Sequence, residues 1–381
     1  MNARDFVRRM PDASSTFERR QALLWRLHLD LPLLVLVLLV CGYGLVVLFS
    51  AVDRDVERFV SQVYRLGVAL AVMLVAAQVD PMTLRRWAPL FYGVGVLLLV
   101  TVLVAGTSAK GAQRWIDLPG LPRFQPSEMM KLAVPMMTAA FLADHSLPPR
   151  PSLVLVALAL IALPAVLIAA QPDLGTAILV AGSGLAVVLL SGLPWRWILG
   201  AAALGTAALP GLWMVMKDYQ RQRVLTLFDP ESDPLGAGWN IIQSKIAIGS
   251  GGVFGKGLFQ GTQSHLDFLP ESHTDFIIAV LAEELGLLGV LVLLGLYFLI
   301  VTRGLYIATQ GQDAFARMLA GGLTLTFFTY LFVNIAMVGG LLPVVGVPLP
   351  LVSYGGTSAL TLMAGFGILM AVRTHQKLLR A

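Results

Sequence analysis

Three groups of polar residues interrupt an otherwise apolar sequence, and each has side chains able to do chemistry. The first is Gly111-Ala-Gln-Arg-Trp-Ile116 followed by Gln125-Pro-Ser-Glu-Met-Met-Lys131. Pro126 suits the first turn of a helix, and Gln125 or Ser127 would cap it. Glu128 and Lys131 are three apart and share a helix face. They read either as a self-neutralising ion pair or as a substrate-facing acid and base. The second group is Gln171-Pro-Asp-Leu-Gly-Thr176. Asp173 there suits a helix N-terminus, where negative charge meets the helix dipole favourably.

The third group spans a long polar segment, 217–274, and its edge. It opens with Lys217, Arg221 and Arg223 and carries Lys245 and Lys256. It ends at Pro270-Glu-Ser-His-Thr-Asp-Phe276. The glycine-rich stretch Gly249–Gly257 invites a P-loop reading, but G-x-x-x-x-G-K-[ST] needs glycine where Ser250 stands and Ser or Thr where Gly257 stands. It reads instead as a flexible re-entrant or surface turn. No H-E-x-x-H pattern occurs, and His265 and His273 do not have zinc-ligand spacing.

Asp275 has two readings. Ser272-x-x-Asp275 ahead of an apolar run matches a capping box. Alternatively, a carboxylate at the water-poor rim of a membrane cavity is a general base.

The elements that must position these groups are membrane helices. Of 381 residues, 57% are hydrophobic and 13% charged, with mean hydropathy +0.79. Soluble domains carry about 25% charged residues. A helix needs about 20 apolar residues to cross a bilayer. Ten stretches qualify: 31–51, 60–79, 88–106, 127–143, 152–170, 174–192, 196–216, 275–302, 314–340 and 357–373. The predicted fold is an all-α integral membrane protein of about ten spans. Its parts are an N-terminal segment 1–30, one membrane domain 31–373 and a tail 374–381. The arginine-rich start, Arg85, Arg86, Arg150, Arg196, Arg303, Arg317 and the basic tail fall on one side. The positive-inside rule makes that side, with both termini, cytoplasmic. The segment 217–274 then becomes a large extracytoplasmic loop between spans seven and eight.

The first thirty residues carry six arginines and no cleavage pattern, so the first apolar run reads as an uncleaved anchor. The net charge of +5 fits basic loops beside anionic lipid, not nucleic acid. The single cysteine, Cys41, excludes an internal disulfide.

Several stretches resemble the SEDS family (shape, elongation, division, sporulation). They are Gln171–Gly175, Trp239–Gly252, Gly255-Lys-Gly257, Pro270–Phe276, Ala282-Glu-Glu-Leu-Gly286 and Pro350–Gly356. Trp239–Gly252 and the His-Thr-Asp-Phe and Ala-Glu-Glu-Leu-Gly wording resemble the elongation, RodA-type branch. The resemblance implies a peptidoglycan glycosyltransferase of the bacterial inner membrane, with ten spans. The substrate would be lipid II, a disaccharide-pentapeptide on undecaprenyl pyrophosphate. It also implies Asp275 as the catalytic aspartate and Glu128 and Lys131 as cavity residues. Asp267 matches a position that takes Asp or Glu. A class B penicillin-binding transpeptidase would be the partner.

Arg114, Lys131, Arg221, Arg223, Lys245 and Lys256 are the candidates to meet the leaving pyrophosphate, since charge stabilisation is often the largest catalytic contribution. Glu271 and Ser353 are candidates to position sugar. A Mg2+ or Mn2+ ion would suit hard oxygens such as those of Glu128 and the pyrophosphate, though no dedicated cage is visible. Two other classes fit the composition: a flippase for lipid II, whose site would sit near the midplane between repeats, and a scaffold that activates a partner enzyme. The polar motifs cluster on one face and no repeat is evident, which separates this chain from the transporter pattern.

Overall fold

A computed structural model describes residues 27–375 apart from 110–111, 117–123, 217, 234–235, 266–268 and 270. A helix stands over each stretch read as a membrane segment. These are α1 (Leu31–Ala51), α2 (Val56–Ala77), α3 (Pro81–Ala105), α4 (Pro126–Ala143), α5 (Pro151–Ala170), α6 (Leu174–Leu190) and α7 (Trp195–Val215). After the long polar segment, with α8 (Asp218–Phe228), α9 (Ala237–Gly251) and α10 (Thr262–His265), come α11 (Ile277–Thr309), α12 (Ala314–Val338) and α13 (Thr357–Thr374). Among the described residues seven helices are long and apolar enough to cross a membrane, namely α1, α2, α3, α5, α11, α12 and α13. The chain is a membrane protein. One departure from an all-helical fold is a small antiparallel hairpin of β1 (Thr107–Ala109) and β2 (Ala112–Trp115).

Aspartates start many of these helices. Asp30, Asp55, Asp80, Asp173 and Asp313 each accept a hydrogen bond from a first-turn amide. A carboxylate there satisfies an orphan donor and meets the helix dipole. Proline in the first turn of α1, α3, α4 and α5 removes a donor that would lack a partner anyway.

The core centres on α12, which packs against α4, α6, α11 and α13. Small residues permit the close approaches, as expected where helices associate without a hydrophobic driving force. A Cβ on Gly367 of α13 would lie 2.3 Å from the Met73 carbonyl of α2. Apolar side chains on α1, α2, α3, α5 and α7 face outward.

The chain's described ends meet. His28 stacks on His375 with ring centroids 3.7 Å apart. Burial, and then the neighbouring His375, lower the pKa of His28 below the usual histidine value. Beside this contact, Asp30 accepts from both Nε and one terminal nitrogen of Arg303, at 3.0 and 2.6 Å.

The segment 217–274 carries secondary structure of its own: α8, a 3-10 turn (Pro230–Ser232), α9 and α10 occupy much of it. The glycine-rich stretch is not loosely attached. After α9 it runs against α11, with Lys256 and Gly257 amides donating to the Glu283 and Glu284 carbonyls at 3.0 and 2.9 Å. Leu287 and Leu288 donate back to Gly252 and Val253. Gly255 has φ +77°, and a Cβ there would lie 2.1 Å from the Glu284 carbonyl. The glycines thus permit contact between two backbones. At Gly286 (φ 65°) α11 itself kinks beside them.

Candidate active site

Asp275 lies in a run of turns just before α11 and is half-buried. The expected capping box does not form: the N-cap of α11 is Phe276, without a side-chain capping bond. Tertiary hydrogen bonds shape this turn instead. Asn334 of α12 donates to the Asp275 carbonyl at 2.8 Å and to the Val347 carbonyl at 2.7 Å. Ser353 donates through Oγ to the Thr274 carbonyl at 2.5 Å and accepts from the Leu349 amide. The Tyr354 amide donates to the His273 carbonyl at 2.9 Å. The segment 341–356 is therefore fastened along residues 273–275. Within it, Gly346 (φ +74°) lies so close that a Cβ there would be 3.6 Å from Asp275 Oδ2.

The opposite wall comes from α4, α6 and the hairpin. Lys131 Nζ donates to Glu128 Oε1 at 2.5 Å, and both residues are buried. The ammonium also lies 4.8 Å from the centre of the Tyr330 ring. Such a cation–π contact adds to the attraction holding the cation there. Asp173 caps α6 by accepting from the Thr176 amide, as expected from its position. Its other oxygen accepts from Gln125 Nε2 at 3.0 Å. Gln125 therefore does not cap α4, which has no side-chain cap from Gln125 or Ser127. Arg114 on β2 lies 3.7 Å from Asp173 and donates to the Pro172 carbonyl.

The two walls meet at residues 345–346. A Cβ on Gly175, two residues after Asp173, would lie 2.5 Å from the Val345 carbonyl, and Gly346 is the residue beside Asp275. Asp173, bonded to Gln125 and paired with Arg114, is thereby connected through Gly175 and residues 345–346 to the Asp275 turn, and Glu128 and Lys131 lie on α4 just after Gln125.

The remaining candidates separate. Lys256 Nζ donates to Glu283 at 2.7 Å, so a carboxylate already balances its charge. Arg221 donates to the Trp213 and Met214 carbonyls at the end of α7. Arg223 lies on α8, half-buried. Lys245 is exposed on α9, and its Nζ would lie 2.7 Å from a Cβ on Gly340, where the 341–356 segment begins. Glu271 accepts from Thr274 Oγ1 at 2.7 Å within the Asp275 turn. Ser353 is buried and bonded to backbone on both sides, so it fastens the turn. Asp267 lies outside the described residues. Sequence reasoning missed Asn334. The signal was present: an amide inside an apolar span must find partners, because lipid offers none.

Glu128 Oε2 is buried without a hydrogen-bond partner among the described residues. One free carboxylate oxygen suits a hard divalent ion. Among the described residues no three His, Cys, Asp or Glu gather into a metal site. A Mg2+ or Mn2+ ion at Glu128 would therefore take most of its oxygens from substrate and water.

Residues 31–378 match the family model described as cell cycle protein, FtsW/RodA/SpoVE. The chain belongs to this FtsW/RodA/SpoVE family. Among its relatives is the peptidoglycan glycosyltransferase MrdB of Escherichia coli K12, 56% identical over 93% of this chain and 96% of that protein. A probable peptidoglycan glycosyltransferase FtsW of Trichlorobacter lovleyi is 38% identical over 92% and 94%. Solved structures agree. One chain, from work on the structural coordination of polymerization and crosslinking by a peptidoglycan synthase complex, matches with TM-score 0.80 and 33% identity, covering 91% of this chain and 99% of that one. The rod shape determining protein RodA of Thermus thermophilus matches with TM-score 0.69 and 30% identity, over 91% and 98%. As an FtsW/RodA/SpoVE protein, this chain is placed by those relatives among the named glycosyltransferases and not among transporters.

Proposed function

We propose that the chain is a peptidoglycan glycosyltransferase that polymerises lipid II into glycan strands during cell-wall elongation. The observation that carries the reading is the placement of Asp275. Its backbone is fixed by Asn334, its turn by Ser353 and Tyr354, and its carboxylate stands beside Gly346 at the junction with the Arg114, Glu128 and Lys131 wall.

In this reading the Asp275 carboxylate accepts the proton of the acceptor sugar's 4-hydroxyl as its oxygen attacks the donor's anomeric carbon. The bond from that carbon to the pyrophosphate oxygen breaks, and undecaprenyl pyrophosphate leaves with inversion. A base fixed by its backbone keeps its orientation through the reaction, which favours proton transfer in the transition state. Arg114, Lys131 and Lys245 are the cations suited to the departing negative charge. Lys256, bound to Glu283, is not. Glu271 orders the turn that carries Asp275.

The topology we propose has ten spans and both termini in the cytoplasm of a bacterial inner membrane. Residues 1–30 and 374–381 then form cytoplasmic ends, 31–373 the membrane domain and 217–274 the folded extracytoplasmic segment. The lipid tail stays in the bilayer while the sugars reach the outer rim. A class B penicillin-binding transpeptidase would crosslink the product.

The test is the purified full chain in detergent or vesicles with fluorescent lipid II. Glycan chains longer than the disaccharide support the reading. Transfer of intact lipid II across vesicles without chain growth would support a flippase and contradict it.

A further inference from the structure

Glu283 lies on the second turn of α11, eight residues beyond Asp275, and is fully buried. Its carboxylate gathers an unusual number of donors. Oε1 accepts from Lys256 Nζ at 2.7 Å, the Thr262 amide at 2.8 Å, Thr262 Oγ1 at 3.0 Å and the Gln263 amide at 3.1 Å. Oε2 lies 3.2 Å from the same Gln263 amide. Bonds to a buried carboxylate are short and strong, and they fix geometry as well as energy.

These donors come from residues that precede α11 in the chain. Asp275 stands immediately before Phe276, the N-cap residue of α11. Asn334, Ser353 and Tyr354 hold its turn from α12 and the 341–356 segment. Glu283, on the second turn of α11, holds Thr262 and Gln263. Thr262, Gln263 and Asp275 are thus all set beside the first turns of α11.

We infer that Glu283 is a positioning residue for transfer: it fixes Thr262 and Gln263 to the helix that Asp275 leads into and thereby helps set where Asp275 meets substrate. The inference rests on reading Asp275 as the base. Lys256 serves as the counter-ion that lets the carboxylate stay buried and charged.

The rest of the stretch is secured independently. The Gly252, Val253 and Glu284 carbonyls keep their bonds to or from its backbone. Ser50 donates to Glu284 at 2.6 Å and accepts from the Phe259 amide at 3.2 Å. Loss of the Glu283 charge would therefore loosen Thr262 and Gln263 without detaching the preceding stretch from α11 and α1.

The experiment compares wild type, Glu283→Gln and Lys256→Gln, each as the purified full chain, for kcat and KM with lipid II and for Tm. A displacement of catalytic geometry acts on turnover, so Glu283→Gln is expected to lower kcat on the order of ten-fold with KM within about two-fold. Lys256→Gln moves kcat in the same direction by less, and it carries the test should Glu283→Gln not fold. Unchanged kcat with a lowered Tm in a folded variant would make the cluster a brace only and overturn the inference. A raised KM with unchanged kcat would make it a substrate contact, and would overturn it equally. Wild type without polymerising activity would instead remove the glycosyltransferase reading itself.

Discussion

One amide group of Asn334 donates to two carbonyls at once, that of Asp275 at 2.8 Å and that of Val347 at 2.7 Å. The two acceptors belong to different segments, the turn before α11 and the loop before α13. Asn334 is fully buried on α12, the central helix of the bundle. It therefore connects the central helix to the residue proposed to do the chemistry.

Replacing Asn334 with Leu removes both donors and leaves two carbonyls facing a side chain that cannot donate. An unsatisfied buried acceptor costs about 1–3 kcal/mol. The expected result is a lowered Tm together with a kcat loss larger than any change in KM, because the Asp275 backbone loses its fixed point. Thermal unfolding and steady-state lipid II polymerisation measure the two effects. Wild-type turnover in the Leu variant would show that Asn334 does not position Asp275.

The buried pair Glu128–Lys131 separates structural from functional charge. Removing one partner of a buried ion pair costs about 3–5 kcal/mol, whereas replacing both by apolar residues is often neutral. Lys131→Met should thus lower stability strongly. Glu128→Leu combined with Lys131→Met should recover most of it. Polymerisation should stay impaired in both variants if the cation meets the pyrophosphate. Recovery of activity along with stability would make the pair purely structural.

The apolar elements were legible because lipid acts on each segment separately: a run such as 31–51 or 152–170 becomes a helix wherever it sits. Asp173 as a helix cap was legible for a similar reason, since capping is local. The segment 217–274 was not. Its glycines and charges read as loop, but Gly251 and Gly255 are small because they touch the backbone of α11: a Cβ on Gly251 would lie 1.9 Å from the Ala282 carbonyl. That requirement comes from a partner distant in sequence. Ser272-x-x-Asp275 misled in the opposite sense. The local pattern was satisfied in spelling, but hydrogen bonds from Ser353, Tyr354 and Asn334 fix the turn in another conformation. Lys256 could be recognised as a cation but not as one already matched, since its partner Glu283 is on another element.

The stacked His28 and His375 give a pH dependence of known sign. Burial lowers the pKa of His28 in the fold, with His375 adding to the effect. The unfolded chain therefore binds the proton more readily. The contribution to stability is full above the ordinary histidine value of about 6.5 and is lost as pH falls through the lower folded value. Wild type should lose Tm on acidification over that window more steeply than His28→Gln. Parallel profiles for the two proteins would show that the pair does not couple protonation to folding.

The central claim is that Asp275 is the base of a polymerising glycosyltransferase. The N-cap residue of α11 is Phe276, so an amide at position 275 should leave the helix start intact. The most direct measurement is polymerisation of purified fluorescent lipid II by Asp275→Asn beside wild type, with Tm recorded for both. The account predicts glycan strands from wild type, none from Asp275→Asn, and similar unfolding temperatures. Strands of normal length and rate from the folded Asn variant would contradict it.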